Sequence, residues 1–325
     1  MRPIEVRDLR KAYGDVQAVD GVSFGIERGE VFALLGPNGA GKTTVVEIIE
    51  GHRTADSGEV RVLGHDPARR ERALRERIGI VLQEAGFDED ATVAELVRLH
   101  RSLYPRRLDA DAVIELVGLT AKRSARVRTL SGGQKRRLDL ALGLVGDPEV
   151  LFLDEPTVGF DPEARRQAWS IVRDLRANGT TVLLTTHYLD EAQHLADRVA
   201  VIVAGRLVAL GTPGELAARG RATVIEFRTT GSTDDAALAV DDGTAARTRL
   251  ADALGDGVAV ESDGAGWRVT TDDTTLALHA LTAWSLEHRV PLEDLEVRRP
   301  TLEDAYLELV GERAVHAGTD EAVRA

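Results

Sequence analysis

The chain contains no cysteine, which excludes disulfides and thiolate metal sites and is compatible with a reducing compartment. Long apolar runs are also missing. The longest, such as VAVIVA at 199–204, are strand-sized and far below the ~20 residues a membrane helix needs, so the chain is not expected to span a bilayer. The opening stretch MRPIEVRDLRKAYG lacks the apolar core of a secretory leader, and no signal peptide is expected. No internal repeat is visible. Positive charge is scarce toward the end: residues 221–325 carry 10 basic against 21 acidic side chains, leaving 31 and 33 of the totals of 41 and 54 for residues 1–220. A net charge of −13 disfavours a general nucleic-acid role, because phosphate binding needs a positive footprint. The acidic tail reads as a solvated surface. What remains is a globular composition, 43% hydrophobic and 29% charged over 325 residues, enough for one large or two ordinary domains with a substantial core.

Continuous apolar segments alternate with helical patterns. RGEVFALLGPNGAGKTTVVEIIEG reads as a strand at 31–35, a glycine loop at 36–41 and a helix from Lys42. PEVLFLDEP is a second buried strand ending in carboxylates, TTVLLTTH a third ending in histidine, and RVAVIVAGRLVALGTP a hairpin closing at Gly211-Thr212-Pro213. Such runs predict a mostly parallel sheet covered on both faces, the α/β class. Past residue 220 the character changes. The pattern there is a strand at ATVIEFR, a polar loop, a helix near 244–254, strands near 257–262 and 266–271, a helix near 274–289 and a strand near 292–298. That βαββαβ order is the ferredoxin-like arrangement. Pro300 ends the last strand, TLEDAYLELVG follows as a short amphipathic helix, and residues 312–325 read as a flexible tail. The expected limits are therefore 1–220 for an α/β domain and 221–311 for an accessory α+β domain.

Gly36, Gly41, Lys42 and Thr43 satisfy G-x-x-x-x-G-K-[ST] between a strand and a helix, as a phosphate-binding loop requires. Within the loop Gly36, Pro37, Asn38, Gly39, Ala40 and Gly41 supply backbone N–H groups that side chains would obstruct. Lys42 would reach the β- and γ-phosphates, Thr43 a Mg²⁺ ion and Thr44 the α-phosphate region. Asp154 and Glu155 end an apolar strand. They read either as a solvated strand end or as a metal-holding carboxylate followed by one that polarises water. His187 either packs and caps the next helix or contacts a γ-phosphate at the strand end. Gln83, after the strand-like RIGIVLQ, is a surface amide or a ligand to metal and water. Tyr13 stacks on a base or is a half-buried strand aromatic.

One further segment binds anions on paper. In LSGGQKRRLDLAL, Ser131 is placed as a helix N-cap ahead of Gly132, Gly133 and Gln134, and a helix start offers free N–H groups and a positive dipole end. The phosphate loop already serves one nucleotide, so this second terminus has no phosphate of its own within the chain.

In this order, Tyr13, GPNGAGKTT, Gln83, LSGGQ, LFLDEPT, Asp161 and His187 resemble the ATP-binding cassette (ABC) ATPases over about residues 3–220. The resemblance implies a P-loop fold with a helical subdomain and ATP with Mg²⁺ as ligands. Tyr13 would then stack adenine, Thr43, Gln83 and Asp154 would serve the metal, and Gln83 would link it to a membrane partner. Lys42, Gln83, Glu155 and His187 would be catalytic, with Glu155 as general base and His187 on the γ-phosphate. Asp161 in VGFDP matches the loop facing a second subunit. Phe160 departs from the family's usual leucine with little expected consequence. Ser131 through Gln134 would cover ATP held by a second copy, so the active form would be a homodimer with isologous contacts. The stretches RTLSGGQKRRLDLALGLVGDPEVLFLDEPT, LTTHYLDEA and RRPTLEDAYLELVG look like the ATPase subunits of bacterial multidrug and antibiotic exporters of the daunorubicin-resistance type. The resemblance thus implies a peripheral subunit on the cytoplasmic face of the membrane, working with a separately encoded permease, with no nucleic acid bound. The accessory domain is expected to steady or regulate the dimer.

The competing class is a soluble ABC ATPase acting on DNA, ribosomes or cluster assembly. DNA-repair members place a long coiled coil between phosphate loop and signature, whereas about 88 residues separate Lys42 from Leu130 here. Ribosome-acting members usually carry two cassettes, and cluster-assembly members lack a comparable C-terminal extension. A catalytically dead binding module is argued against by the intact Lys42, Asp154, Glu155 and His187.

Overall fold

The computed structural model describes residues 2–81, 86–218, 223–229, 242–255, 258–262, 266–298, 301–307 and 309–311. Contacts divide the chain near Pro213 and Gly214, with the second unit running to residue 308. The first unit comprises β1 (Ile4–Tyr13), β2 (Val16–Ile26), β3 (Val31–Leu35), α1 (Lys42–Ile49), β4 (Ser57–Val62), α2 (Arg72–Arg75), β5 (Ile78–Val81), α3 (Val93–Ser102), α4 (Ala110–Leu116), α5 (Gly132–Leu144), β6 (Val150–Asp154), α6 (Pro162–Ala177), β7 (Thr181–Thr185), α7 (Leu189–Leu195), β8 (Arg198–Val203) and β9 (Arg206–Gly211). A short helix, α8 (Pro213–Ala217), leads on from it.

Six strands form one sheet in the order β5-β6-β7-β3-β8-β9, parallel except for β9. Every residue of β3 and β7 is buried. That is why they read as unbroken apolar runs rather than alternating ones: helices and a second sheet cover both faces. The second sheet, β2-β1-β4, is antiparallel. Its Ile4, Val22 and Phe24 share one core with Phe32 and Phe152 of the large sheet and with Val45 and Ile49 of α1. Phe24 and Phe32 stack with centroids 5.1 Å apart. The hairpin expected at 198–213 is present as β8–β9. Its turn lies at Ala204–Gly205, and Gly211-Thr212-Pro213 instead leads into α8.

Helices α3, α4 and α5 pack on one another, forming the helical insertion. Local signals set their starts. Thr92 caps α3 in a reciprocal pair with Glu95, and Ser131 caps α5 in the same way with Gln134, the capping-box arrangement. Asp161 caps α6 by accepting from the Ala164 N–H at 2.8 Å, with Pro162 at the first helical position.

The second unit comprises β10 (Thr223–Thr229), α9 (Asp242–Leu254), β11 (Val258–Ser262), β12 (Trp267–Thr271), α10 (Thr274–His288) and β13 (Leu292–Arg298). All its pairings are antiparallel, in the order β11-β12-β10-β13. This is the ferredoxin-like order: the first and third strands lie side by side in the middle, and the second and fourth form the edges. Ile225, Phe227, Leu250, Leu281 and Trp284 form its own core. Residues 302–307 and 309–311 are helical, as the TLEDAYLELVG pattern predicts. The tail expected at 312–325 lies outside the described residues.

Candidate nucleotide site

β3 neighbours β7 on one side and β8 on the other, so the order of the large sheet reverses there. The carboxyl ends of the strands around such a switch point frame a crevice. A cleft of about 600 Å³ opens at this place, lined by Tyr13, Ala18, Asn38, Gly39, Ala40, Gly41, Lys42, Thr43, Thr44, Asp154, Glu155, Thr185 and His187. Thus residues from 13 to 187 that the sequence singles out converge on one cleft, together with Ala18 and Thr185, which it does not.

The loop after β3 can take its path only with glycine at two points. A Cβ on Gly36 would sit 2.2 Å from the Ile202 carbonyl oxygen, and one on Gly41, at φ 99°, would sit 2.2 Å from that of Ala18. Both are far inside van der Waals contact, so the fold itself demands glycine there. Lys42 Nζ donates to the Gly36 carbonyl at 2.6 Å and to that of Pro37 at 3.1 Å, folding the lysine back over its own loop. Burial lowers the Lys42 pKa, while the nearby Glu155 and Asp154 charges act in the opposite sense.

Asp154 ends β6 and Thr185 ends β7, directly paired across the sheet. The Thr185 hydroxyl donates to Asp154 Oδ1 and accepts from the Glu155 N–H at 3.2 Å. Glu155 occupies the left-handed region at φ 47°. That turn swings its side chain away from Asp154's direction and toward His187, whose Nδ1 lies 3.1 Å from Glu155 Oε1. The two adjacent carboxylates therefore serve different neighbours. His187 packs against Tyr188 with ring centroids 4.2 Å apart and still lines the cleft. Tyr13 is 41% exposed at the rim, with Lys11 and Arg53 at 5.6 and 5.5 Å from its ring centroid.

Thr43 and Asp154 place a hydroxyl and a carboxylate in the same cleft. Hard oxygen donors of this kind suit Mg²⁺, which keeps several waters and completes its shell with phosphate oxygens rather than with a protein cage. Among the described residues no group of three or more His, Asp or Glu side chains is placed to hold a metal ion. Gln83 lies outside the described residues.

Ser131, Gly132, Gly133, Gln134 and Asp161 do not line the cleft, and neither do Gly36 and Pro37, which face Lys42 through their carbonyls. Gly132 and Gly133 lie in α5 without positive φ, and a Cβ on either would meet nothing within 4 Å. Unlike at Gly36 and Gly41, no contact among the described residues requires glycine there.

Two residues outside the motif list hold the site, and a third, Glu50, is a buried carboxyl that feels the charge of Asp154. Thr185 is one. Arg136, on α5, donates to the carbonyls of Asp154, Glu155 and Pro156 and to Asp139. Glu50, at the end of α1, is almost completely buried, and burial together with the Asp154 and Glu47 charges pushes its carboxyl up to about 8. No local pattern marks Thr185 or Glu50. Arg136 stands within QKRR, where its burial is not readable from spacing.

Comparison with known proteins gives two family matches. Residues 19–158 match the ABC transporter family, and residues 246–301 match the C-terminal domain of ABC transporter domain-containing proteins. The chain is 40% identical over 314 residues to the daunorubicin resistance ATP-binding protein DrrA3 of Streptomyces coeruleorubidus, covering 95% of this chain and 96% of that one. It is 44% identical over 220 residues to the Nod factor export ATP-binding protein I of Paraburkholderia xenovorans, covering 66% of this chain and 72% of the relative. A solved structure of a component of an ABC transporter complex from Clostridium perfringens superposes with a TM-score of 0.60 at 31% identity, covering 67% of this chain and 91% of that one.

Proposed function

The chain belongs to the ATP-binding subunits of ABC transporters and is an exporter ATPase, and on that premise we propose that two copies clasp two ATP molecules between them and drive a separate membrane permease. The supporting observation is the split between two anion-binding elements. Lys42 and residues 38–41 of its loop line the cleft, whereas the Ser131 helix start, with two glycines that no contact among the described residues requires, does not. A second copy related by a two-fold axis would bring each helix start onto the other's phosphates.

In this reading the triphosphate replaces the Gly36 and Pro37 carbonyls as the partner of Lys42 Nζ, and the loop's N–H groups hold the β-phosphate. Thr43 and Asp154 would hold Mg²⁺, with Gln83 as a further ligand, and the ion would spread the charge developing on the transferring phosphoryl group. Glu155 accepts a proton from the attacking water, and His187, held against Glu155, contacts the γ-phosphate. Tyr13 stacks the adenine at the cleft's rim. Swinging the pair from mostly open to mostly closed needs about 5.5 kcal/mol of differential binding, which two charged, multiply hydrogen-bonded triphosphates can supply. Loss of the γ-phosphate removes bridging contacts and reopens the pair.

The cargo we propose is a drug- or antibiotic-like compound, because the match to the daunorubicin resistance relative spans 95% of this chain whereas the Nod factor match spans 66%. Residues 1–220 act as the nucleotide-binding domain and 221–311 as the accessory domain that steadies or regulates the pair. Among the described residues no helix is long and apolar enough to cross a membrane. The proposed seat is therefore peripheral, on the cytoplasmic face of the membrane, with the permease supplying the path. Glu155→Gln tests the reading: with saturating ATP it should bind nucleotide, hydrolyse it very slowly and elute from a sizing column as two chains. A variant that stays monomeric while fully loaded with ATP would contradict it.

A further inference from the structure

Arg136 lies five residues past the Ser131 cap on α5, about 7.5 Å along the helix axis, and only 12% of its side chain is exposed. Its guanidinium donates to the Asp154 carbonyl, to that of Glu155 at 3.0 Å and to that of Pro156 at 3.3 Å. Its charge is offset by the buried Asp139 one turn on, at 3.3 Å. Three consecutive carbonyls around one turn are thus held by a single planar fork, a geometry the compact ammonium of lysine cannot reproduce. The turn it holds is a strained one. Glu155 sits at φ 47° without being glycine, a strained conformation that persists only where its surroundings over-determine it. Here the surroundings are Thr185, which takes the Glu155 N–H through both its hydroxyl and its carbonyl, at 3.2 and 3.1 Å, and Arg136 on the carbonyl side.

We propose that Arg136 is a positioning residue for Glu155, which ties each chain's water-activating carboxylate to the nucleotide bound by its partner. The proposal rests on the shared-site reading above. When Ser131 and Gly133 close onto the partner's phosphates, α5 moves as a rigid rod, and the guanidinium bonded around Glu155 moves with it. Occupancy of one site then sets the aim of the carboxylate in the other. No covalent step is added; Arg136 touches neither water nor phosphate.

The test uses the full chain with Arg136→Lys and Arg136→Met, measuring kcat, KM for ATP, the Hill coefficient and the thermal midpoint. ATP-dependent pairing is measured with each change placed in the Glu155→Gln background. The lysine variant should keep its midpoint, its pairing and a KM within about twofold, while kcat falls roughly 10- to 100-fold, the loss of a charge-assisted positioning contact, and the Hill coefficient drops toward one. Arg136→Met should show the same kcat loss or a larger one. A kcat within about twofold of the parent in both variants overturns the proposal, and so does a kcat loss matched by an equal loss of midpoint and ATP affinity, which a purely structural tie would give. Failure of Glu155→Gln to pair with Arg136 intact overturns the shared-site reading instead, and is read before any Arg136 change is made.

Discussion

Gly133→Ala separates what the chain needs in order to fold from what it needs in order to work. Gly133 is the second residue of α5, half-buried, and a Cβ built on it meets nothing within 4 Å. Alanine lowers the conformational entropy of the unfolded chain and favours the helix, so the change should stabilise the nucleotide-free protein by about 0.4–1 kcal/mol. For a unit of some two hundred residues that is a rise of about 1–4 °C in thermal midpoint. The same methyl group would stand between the helix start and a partner's phosphate. Losing one hydrogen bond to a charged group costs about 1.5–3 kcal/mol, or roughly 10- to 150-fold in rate if the contact is made in the transition state. The assays are thermal unfolding without nucleotide and steady-state ATP hydrolysis on the same preparation. A more stable protein with crippled hydrolysis is the expected pair. A fall in midpoint would refute the claim that the chain has no use of its own for this glycine, and unchanged hydrolysis would refute the claim that a partner's phosphate does.

Gly41→Ala should behave oppositely, losing stability before nucleotide is added, because its Cβ would collide with the Ala18 carbonyl; a midpoint at or above that of the parent protein would contradict the loop geometry. Lys42→Ala should reduce ATP affinity by at least tenfold, measured by titration calorimetry, since the buried ammonium has no counterpart elsewhere among the residues lining the cleft; parental affinity would count against its placement on the phosphates. Glu50 gives a pH signature. Its folded-state carboxyl is raised from 4.5 to about 8, so between those values the folded chain holds a proton that the unfolded chain has released. Its contribution to stability is therefore complete below pH 4.5 and lost as pH rises toward 8. Glu50→Gln should flatten the decline in thermal midpoint across that window, and an identical slope in both proteins would remove Glu50 as its source.

Parallel strands buried on both faces leave continuous apolar runs, which is why β3, β6 and β7 stand at the places their residues announce. The phosphate loop was equally legible, since glycines that a fold demands and a lysine after them are local facts. Even the accessory sheet followed from the order of its strands. The sheet β2-β1-β4 did not, because β1 and β2 mix charged and apolar residues over exposed and buried positions and carry several register shifts. Arg136 and Thr185 stayed hidden for a different reason: their roles depend on which distant backbone they meet. Asp161 showed the reverse ambiguity. It caps α6 within its own chain, and that contact alone would account for it.

The central claim is that the lysine loop of one chain and the serine–glycine turn of another grip the same ATP. Because the chain has no cysteine, single cysteines can be placed at the exposed Asn38 in one preparation and at the exposed Thr129, two residues before Ser131, in another, both in the Glu155→Gln background, and the two mixed. A short bifunctional crosslinker should join the differently tagged chains only when ATP is present. Crosslinking that instead appears within single chains carrying both cysteines, at protein concentrations too low for pairing, would contradict the account.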